Sequence, residues 1–177
     1  MNRIFSLLPL AALAALAALF LTYGLHRDPQ IKPDALVGKP LPARVLTRLD
    51  TGEAVDLSKI GGMARNGGPV IVNMFASWCT LCAAEHPVLM ALRAQGVSII
   101  GVAYKDKPAD TSAFLNRLGN PFVTVLDDKV GRAGLDLGIS GVPESFLISP
   151  DGTILAKHTG PMTAASAEAF IDKAGRR

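Results

Sequence analysis

The chain opens on a run in which polarity nearly vanishes. From Ile4 to Leu25 no residue is charged, and only Ser6, Pro9, Thr22 and Gly24 interrupt the apolar positions. Wound as a helix at about 1.5 Å per residue, this run spans about 33 Å. The hydrocarbon core of a bilayer needs about 30 Å. No polar face exists along the run, so a helix buried in a soluble core fits it poorly. The pattern predicts a single transmembrane helix, with residues 1–26 as a membrane anchor. Arg3 precedes the run, while Arg27 and Asp28 follow it and cancel. The positive flank stays in the cytoplasm, so the remainder is expected to be exported. A cleaved signal peptide competes with this reading, but the small-x-small triplets Ala12-Leu13-Ala14 and Ala15-Leu16-Ala17 lie inside the run rather than after it. Both readings put the rest of the chain outside the cytoplasm. Pro29, Pro33, Pro40 and Pro42 then mark residues 27–42 as an extended tether. Residues 43–177 remain, enough for one domain with a full core.

Within that domain the pattern alternates. Arg44–Arg48 and Glu53–Asp56 flank the turn signal Asp50-Thr51-Gly52 and read as a hairpin. Gly61-Gly62 and Gly67-Gly68-Pro69 mark a loop. Val70–Phe75 is a continuous apolar run, as expected of a strand buried on both faces. A helix follows to about Ala94, stopped by Gly96. Val97–Ala103 reads as a second buried strand, and Asp110 or Thr111 can cap a short helix that buries Phe114, Leu115 and Leu118. Val123–Leu126 is a short strand. Glu144–Ser149 and Ile154–Lys157 read as a hairpin around Pro150-Asp151-Gly152. Thr163 can cap a last helix with Ala167, Phe170, Ile171 and Ala174 on one stripe. Strand–helix–strand alternation followed by a hairpin and a helix predicts an α/β sheet with helices on both faces.

Composition narrows the chemistry. The 177 residues carry 18 Lys+Arg and 15 Asp+Glu, a net charge of +3 with the basic residues scattered, so no nucleic-acid footprint is present. Hydrophobic residues make up 49% of the chain, which excludes disorder. Two cysteines allow one disulfide and exclude both a disulfide scaffold and a four-cysteine metal or iron–sulfur site.

Those two cysteines sit together. Cys79-Thr80-Leu81-Cys82 lies where a buried strand runs into a helix. A helix N-terminus offers unpaired N–H groups and partial positive charge, which favour thiolate on Cys79, the more exposed sulfur. Thiolate is the attacking species in disulfide exchange, and Cys82, one turn in and buried, can resolve the mixed disulfide. A purely structural bridge across three residues would close almost no loop and restrain little. Haem attachment needs His after the second cysteine, and position 83 is Ala. A metal site would recruit His86 and the distant His158, too few ligands, so no metal is expected and His86 reads as a helix-surface histidine. No cofactor is expected beyond the Cys79–Cys82 disulfide.

The neighbours extend the pattern. Trp78, the sole tryptophan, precedes Cys79 and is expected at the rim of the site. Glu85 shares a stripe with Cys82, Leu89 and Leu92, which places a carboxylate on the buried face, where it could handle the proton of Cys82. Pro87 inside the helix removes a hydrogen bond and should kink it. Gly141-Val142-Pro143-Glu144 precedes a strand, and X–Pro is the one bond at which cis is cheap. In the thioredoxin fold a proline at this place faces the cysteines in cis, leaving the backbone before it (here Val142) free to pair with a substrate strand.

With these residues in view, the sequence resembles the thioredoxin-like thiol:disulfide interchange proteins of cytochrome c maturation, the DsbE/CcmG family. The matching stretches run from Leu36 to about Met162: Leu36-Val37-Gly38-Lys39-Pro40, Trp78-Cys79-x-x-Cys82, Ala84-Glu85-His86, Tyr104-Lys105-Asp106, Leu118-Gly119-Asn120-Pro121, Gly134-Leu135-Asp136-Leu137-Gly138, and Gly141 to Ile148. The resemblance implies a thioredoxin-like fold, a central mixed sheet flanked by helices. It implies a reductant in the periplasm, anchored in the inner membrane. Cys79 would attack a disulfide of apocytochrome c or of a partner thiol protein, and a membrane electron donor of the DsbD/CcdA type would reduce the pair again. It also places the carboxylates of Glu85 and Glu144 near the active site, so that Cys79, Cys82, Glu85 and Pro143 are the expected catalytic residues and Trp78, Val142 and Glu144 the expected substrate-binding ones. Two positions depart from the family pattern. Thr80-Leu81 stands where a proline is common, and Ala83 where a basic residue often follows the second cysteine. Two other readings compete: a general extracytoplasmic thiol reductant and a copper chaperone of related fold.

Overall fold

The computed structural model describes residues 3–19, 21–22, 35–64 and 67–175. The chain divides into two compact units, Met1–Lys32 and Pro33–Arg177. The first holds α1 (Arg3–Leu19), whose Leu13, Leu16 and Leu19 are more than half exposed. No helix among the described residues is long and apolar enough to cross a membrane. The expected spanning helix over Ile4–Leu25 is thus present only in part: α1 has 17 residues, and position 20 and residues 23–34 lie outside the described residues.

The second unit is built on one seven-stranded sheet. Its strands are β1 (Val45–Arg48), β2 (Ala54–Asp56), β3 (Val70–Phe75), β4 (Ser98–Tyr104), β5 (Thr124–Asp128), β6 (Glu144–Ile148) and β7 (Ile154–Thr159), in the order β2-β1-β5-β4-β3-β6-β7. The three central strands β3, β4 and β5 run parallel, and the flanking pairs are antiparallel. The parallel strands are joined by α2 (Thr80–Ala94) and α3 (Pro108–Leu118). Steps in one direction along a sheet with right-handed crossovers put both helices on the same face. Accordingly Cys82, Leu89 and Leu92 of α2 share one core cluster with Phe114 and Leu115 of α3, and with Ala167 and Phe170 of α5 (Ala164–Ile171). The opposite face is covered by a 3-10 helix (Leu57–Met63) and by α4 (Arg132–Asp136), through Leu57, Ile60, Ala133 and Leu137. Every residue of β3 is buried, as its nearly continuous apolar run predicts, and that includes its one polar residue, Asn73.

Some elements differ from expectation. The tether was expected to run to Pro42, but its last part docks on the domain. Gly38 and Leu41 donate backbone hydrogen bonds to Ile154 and Gly152, and Leu41 is buried. An apolar side chain at that place makes the proline segment part of the fold. The expected loop around Gly61-Gly62 contains the 3-10 helix, which Asp56 caps through Ser58 N. The helix α3 starts at Pro108 rather than at a cap from Asp110 or Thr111. Proline at the first helical position presets the backbone there, and the Thr111 hydroxyl is turned to Asp106 instead. The five-residue α4 is too short to show a period.

Candidate active site

The redox loop leaves β3 at Phe75, turns over Ala76-Ser77-Trp78, and enters α2 at Cys79. Cys79 is the helix cap: its Sγ accepts the backbone N–H of Cys82 at 3.0 Å. The two cysteines are joined as a disulfide, with Cα atoms 5.3 Å apart. Cys79 is 7% exposed and Cys82 2% exposed, so the first sulfur is the one an incoming group can reach. On reduction the same cap geometry aims an N–H and the helix's positive end at Cys79, which stabilises its thiolate.

Across from the disulfide lies the start of β6. The Val142–Pro143 bond is cis, as expected, and the Val142 carbonyl oxygen is 3.4 Å from Cys79 Sγ. A disulfide sulfur has no proton to give, so this is a contact in the oxidised state and becomes available as a hydrogen bond once Cys79 is a thiol. Trp78 is 60% exposed and Leu81 52% exposed, forming an apolar rim beside the sulfurs. The Trp78 indole is held by its Nε1, which donates to the Lys105 carbonyl at 3.3 Å.

Glu85 occupies the buried face of α2, one turn beyond Cys82, and is 1% exposed. Its Oε1 accepts from Asn73 Nδ2 at 2.8 Å, and its Oε2 from the backbone N–H of Met162 at 2.9 Å. Burial pushes this carboxyl above the ordinary carboxylate range, partly opposed by the bonds from Met162 and Asn73. Asn73 in turn donates to Ser145 Oγ at 3.0 Å. Asn73 and Ser145 are register partners on β3 and β6, and Ser145 pairs with His158 on β7. Glu85 therefore rests on a polar row that crosses the sheet beneath α2. Sequence reasoning missed Asn73 and Ser145. The available signal was one amide inside the otherwise apolar run Val70–Phe75, since a buried polar side chain needs partners.

Glu144 was expected to touch substrate. The structure instead turns it inward at 1% exposure. Its Oε1 accepts from the N–H of Ser140 at 2.8 Å and from the Ser140 hydroxyl at 2.6 Å. Its Oε2 lies 2.7 Å from Lys157 Nζ, close enough for strong attraction but not aligned as a hydrogen bond. The ammonium also donates to Gly138 O at 3.1 Å. Glu144 and Lys157 thus staple the 138–142 loop that carries Val142 to the disulfide. His86, expected on the helix surface, is buried. Its Nε2 lies 2.9 Å from the Gly119 carbonyl, and its ring stands edge-on to Phe114. A carbonyl only accepts, so Nε2 carries the hydrogen. Burial pushes this imidazole below its ordinary value, partly opposed by the Gly119 bond. Among the described residues no group of three His, Cys, Asp or Glu side chains gathers as a metal cage.

A capped, reachable disulfide opposite the Val142 carbonyl fits thiol–disulfide exchange, and known proteins agree. Residues 36–171 match the family model described as Redoxin. A thiol:disulfide interchange protein DsbE of Pasteurella multocida is 42% identical over 135 residues, covering 76% of this chain and 72% of that protein. The DsbE of Pseudomonas aeruginosa is 40% identical over 167 residues, covering 90% and 86%. The chain belongs to the DsbE family of redoxins. Among solved structures, a putative DsbE from Chlorobium tepidum superposes with a TM-score of 0.62 at 30% identity, over 77% of this chain and 94% of that one. As a DsbE-family protein with Cys79 and Cys82 joined at the helix cap, it is a thiol:disulfide oxidoreductase.

Proposed function

We propose that this DsbE-family protein is a reductant of the bacterial periplasm. It keeps cysteines of apocytochrome c, or of a partner thiol protein of cytochrome c maturation, in the thiol state. The observation that supports a protein substrate is the placement of Cys79. Its sulfur sits at the helix cap between the exposed indole of Trp78 and the Val142 carbonyl, where an extended peptide can pair with backbone and pack on the rim. The family likeness supports the maturation role. The apolar run Ile4–Leu25 behind Arg3 supports an inner-membrane anchor over residues 1–26, with the 43–177 domain exported.

The chemistry balances as two exchanges. Cys79 thiolate attacks one sulfur of the substrate disulfide, forming a mixed disulfide and releasing one substrate thiolate. Cys82 thiolate then attacks Cys79 Sγ, closing the Cys79–Cys82 bond and releasing the second. Two electrons pass to the substrate, and both released thiolates take up protons. The proton leaving Cys82 passes to Glu85 or solvent, with Glu85 held at a raised pKa on the polar row. The oxidised pair is then returned to the dithiol by a membrane electron donor of the DsbD/CcdA type.

The test is trapping in cells with Cys82→Ser, which strands the mixed disulfide on Cys79. Recovery of apocytochrome c or a maturation thiol protein is expected. Deleting the gene should abolish c-type cytochromes, with rescue by added thiol reductant. Normal cytochrome levels would sink the maturation role and leave a general reductant of exported thiols.

A further inference from the structure

The end of β4 carries an arrangement that the exchange chemistry as described does not use. Asp106 is 6% exposed and accepts four hydrogen bonds, two from backbone N–H groups and two from hydroxyls. Oδ2 accepts from Ser77 N at 2.7 Å and from Thr111 Oγ1 at 2.8 Å; Oδ1 accepts from Ser77 Oγ at 2.8 Å and Lys107 N at 2.9 Å. A carboxylate offers about four lone-pair sites, so this one is saturated. Two of the four bonds go to a single residue, Ser77, two positions before Cys79. The residue preceding Asp106 is equally committed. Lys105 adopts φ 47°, the one non-glycine residue at positive φ among the described residues. It is held there from both sides: its N–H donates to Asp128 O at 3.0 Å, and its carbonyl takes the Trp78 indole. Backbone strain persists only where surroundings over-determine it, and it gathers at working sites.

We propose that Lys105 and Asp106 form a latch on the redox loop. Asp106 is a positioning residue for Cys79, and the Lys105 carbonyl seats Trp78. The loop has little else to hold it. The turn from Ala76 to Cys79 closes on a single bond, Cys79 N to Ala76 O at 3.2 Å, and Ser77 is only half-buried. With Ser77 and Trp78 both tied to the end of β4, the cap that aims Cys82 N–H at Cys79 Sγ keeps its geometry whether the sulfurs are bonded or free. The latch acts on the attacking sulfur through the loop, and touches no substrate. It concerns the exchange step alone, so it can fail without affecting the maturation reading, and the reverse.

The test uses the full-length chain with Cys82→Ser, so that Cys79 is the sole thiol. The readout is its rate of reaction with an aromatic disulfide that releases a coloured thiol, followed against pH. Asp106→Asn sets an amide NH2 against a backbone N–H whichever way it turns, that of Ser77 or that of Lys107. It is expected to slow Cys79 by about tenfold, the scale of one lost bond to a charged group. It should also move the midpoint of the pH profile upward, because the capping N–H no longer points squarely at the thiolate. Ser77→Ala removes one of the bonds and should slow the reaction by about threefold in the same sense. Asp56→Ala is the control. It removes the cap of the distant 3-10 helix, on the opposite face of the sheet, and should lower thermal stability while leaving the Cys79 rate and midpoint unchanged. Unchanged rates and midpoints in Asp106→Asn and Ser77→Ala overturn the latch. So does an equal shift in Asp56→Ala, which would make the effect one of stability. Should Asp106→Asn not fold, Ser77→Ala against Asp56→Ala decides.

Discussion

Replacing Glu85 by glutamine removes one buried charge a single helical turn beyond Cys82. Residues three apart on a helix are neighbours, with Cβ atoms about 6 Å apart. At that distance and an effective dielectric near 20, two like charges repel by roughly 2.8 kcal/mol. One pH unit in a thiol's ionisation corresponds to about 1.36 kcal/mol. Relieving a repulsion of that size should ease ionisation of the Cys82 thiol by about two pH units. The substitution is tolerable for a local reason. Glutamine can still accept from Met162 N, which leaves its NH2 facing Asn73. Asn73 Oδ1 has no partner in the native network, so that amide can turn and offer an acceptor. The stability change at neutral pH should therefore stay near about 1 kcal/mol. The assay is the ultraviolet absorbance of thiolate during a pH titration of the full-length chain with Cys79→Ser, where Cys82 is the only thiol. The Glu85→Gln curve should shift to lower pH by about two units. Superimposed curves would refute the idea that Glu85 manages the resolving cysteine's proton.

Three further outcomes follow from the same structure. Glu85 is raised from its ordinary value of 4.5, so the folded chain binds this proton more tightly than the unfolded one. Its contribution is full below 4.5 and is lost as pH rises through the folded value. His86 is lowered from 6.5, so the unfolded chain takes a proton that the folded chain refuses, and stability falls as pH drops below 6.5. Urea midpoints measured against pH should lose the first slope in Glu85→Gln and the second in His86→Gln; slopes surviving both changes would contradict these assignments. Lys157→Met leaves Glu144 buried without its counter-charge and should cost about 3–5 kcal/mol, read from chemical denaturation, with most of it recovered in the double variant with Glu144→Gln. A double variant as unstable as the single one would show that the ion pair is not the cause. Gly101→Ala would push a Cβ to 2.8 Å from the Phe122 ring and 2.9 Å from Phe75, whose rings stack at 4.7 Å, and should cost about 1–3 kcal/mol. An unchanged melting temperature would mean that those rings can separate freely.

Much of the site is local, and local features are legible. Cys79 and Cys82 are three apart at a strand–helix junction, so one helix start determines their pairing, their order of exposure and the cap bond between them. Glu85 is placed on the buried face by the same helical period that places Leu89 and Leu92. The strand β3 announces itself because burial on both faces favours a run that is apolar at every position but Asn73. By contrast, α4 and the 3-10 helix are a turn or two long, and no period can be read over so few residues.

The chemistry is written in the linear chain: two cysteines placed to switch, on a helix that starts at the end of a buried strand. Which polar side chains serve that chemistry, and how, depends on the folded chain. Asn73, Ser145 and His158 stand far apart in the chain and become one row because strand register aligns β3, β6 and β7. Glu144 changed role for the same kind of reason. The family resemblance suggests a substrate contact, but a lysine from the neighbouring strand draws its carboxylate inward, and it becomes a support for the loop. His86 changed from surface to core because α3 ends with a free carbonyl at Gly119 against that face of α2. Periodicity reports which face of an element a side chain occupies. Which partner waits on that face is set by pairings between residues distant in the chain, and only the folded chain brings them together.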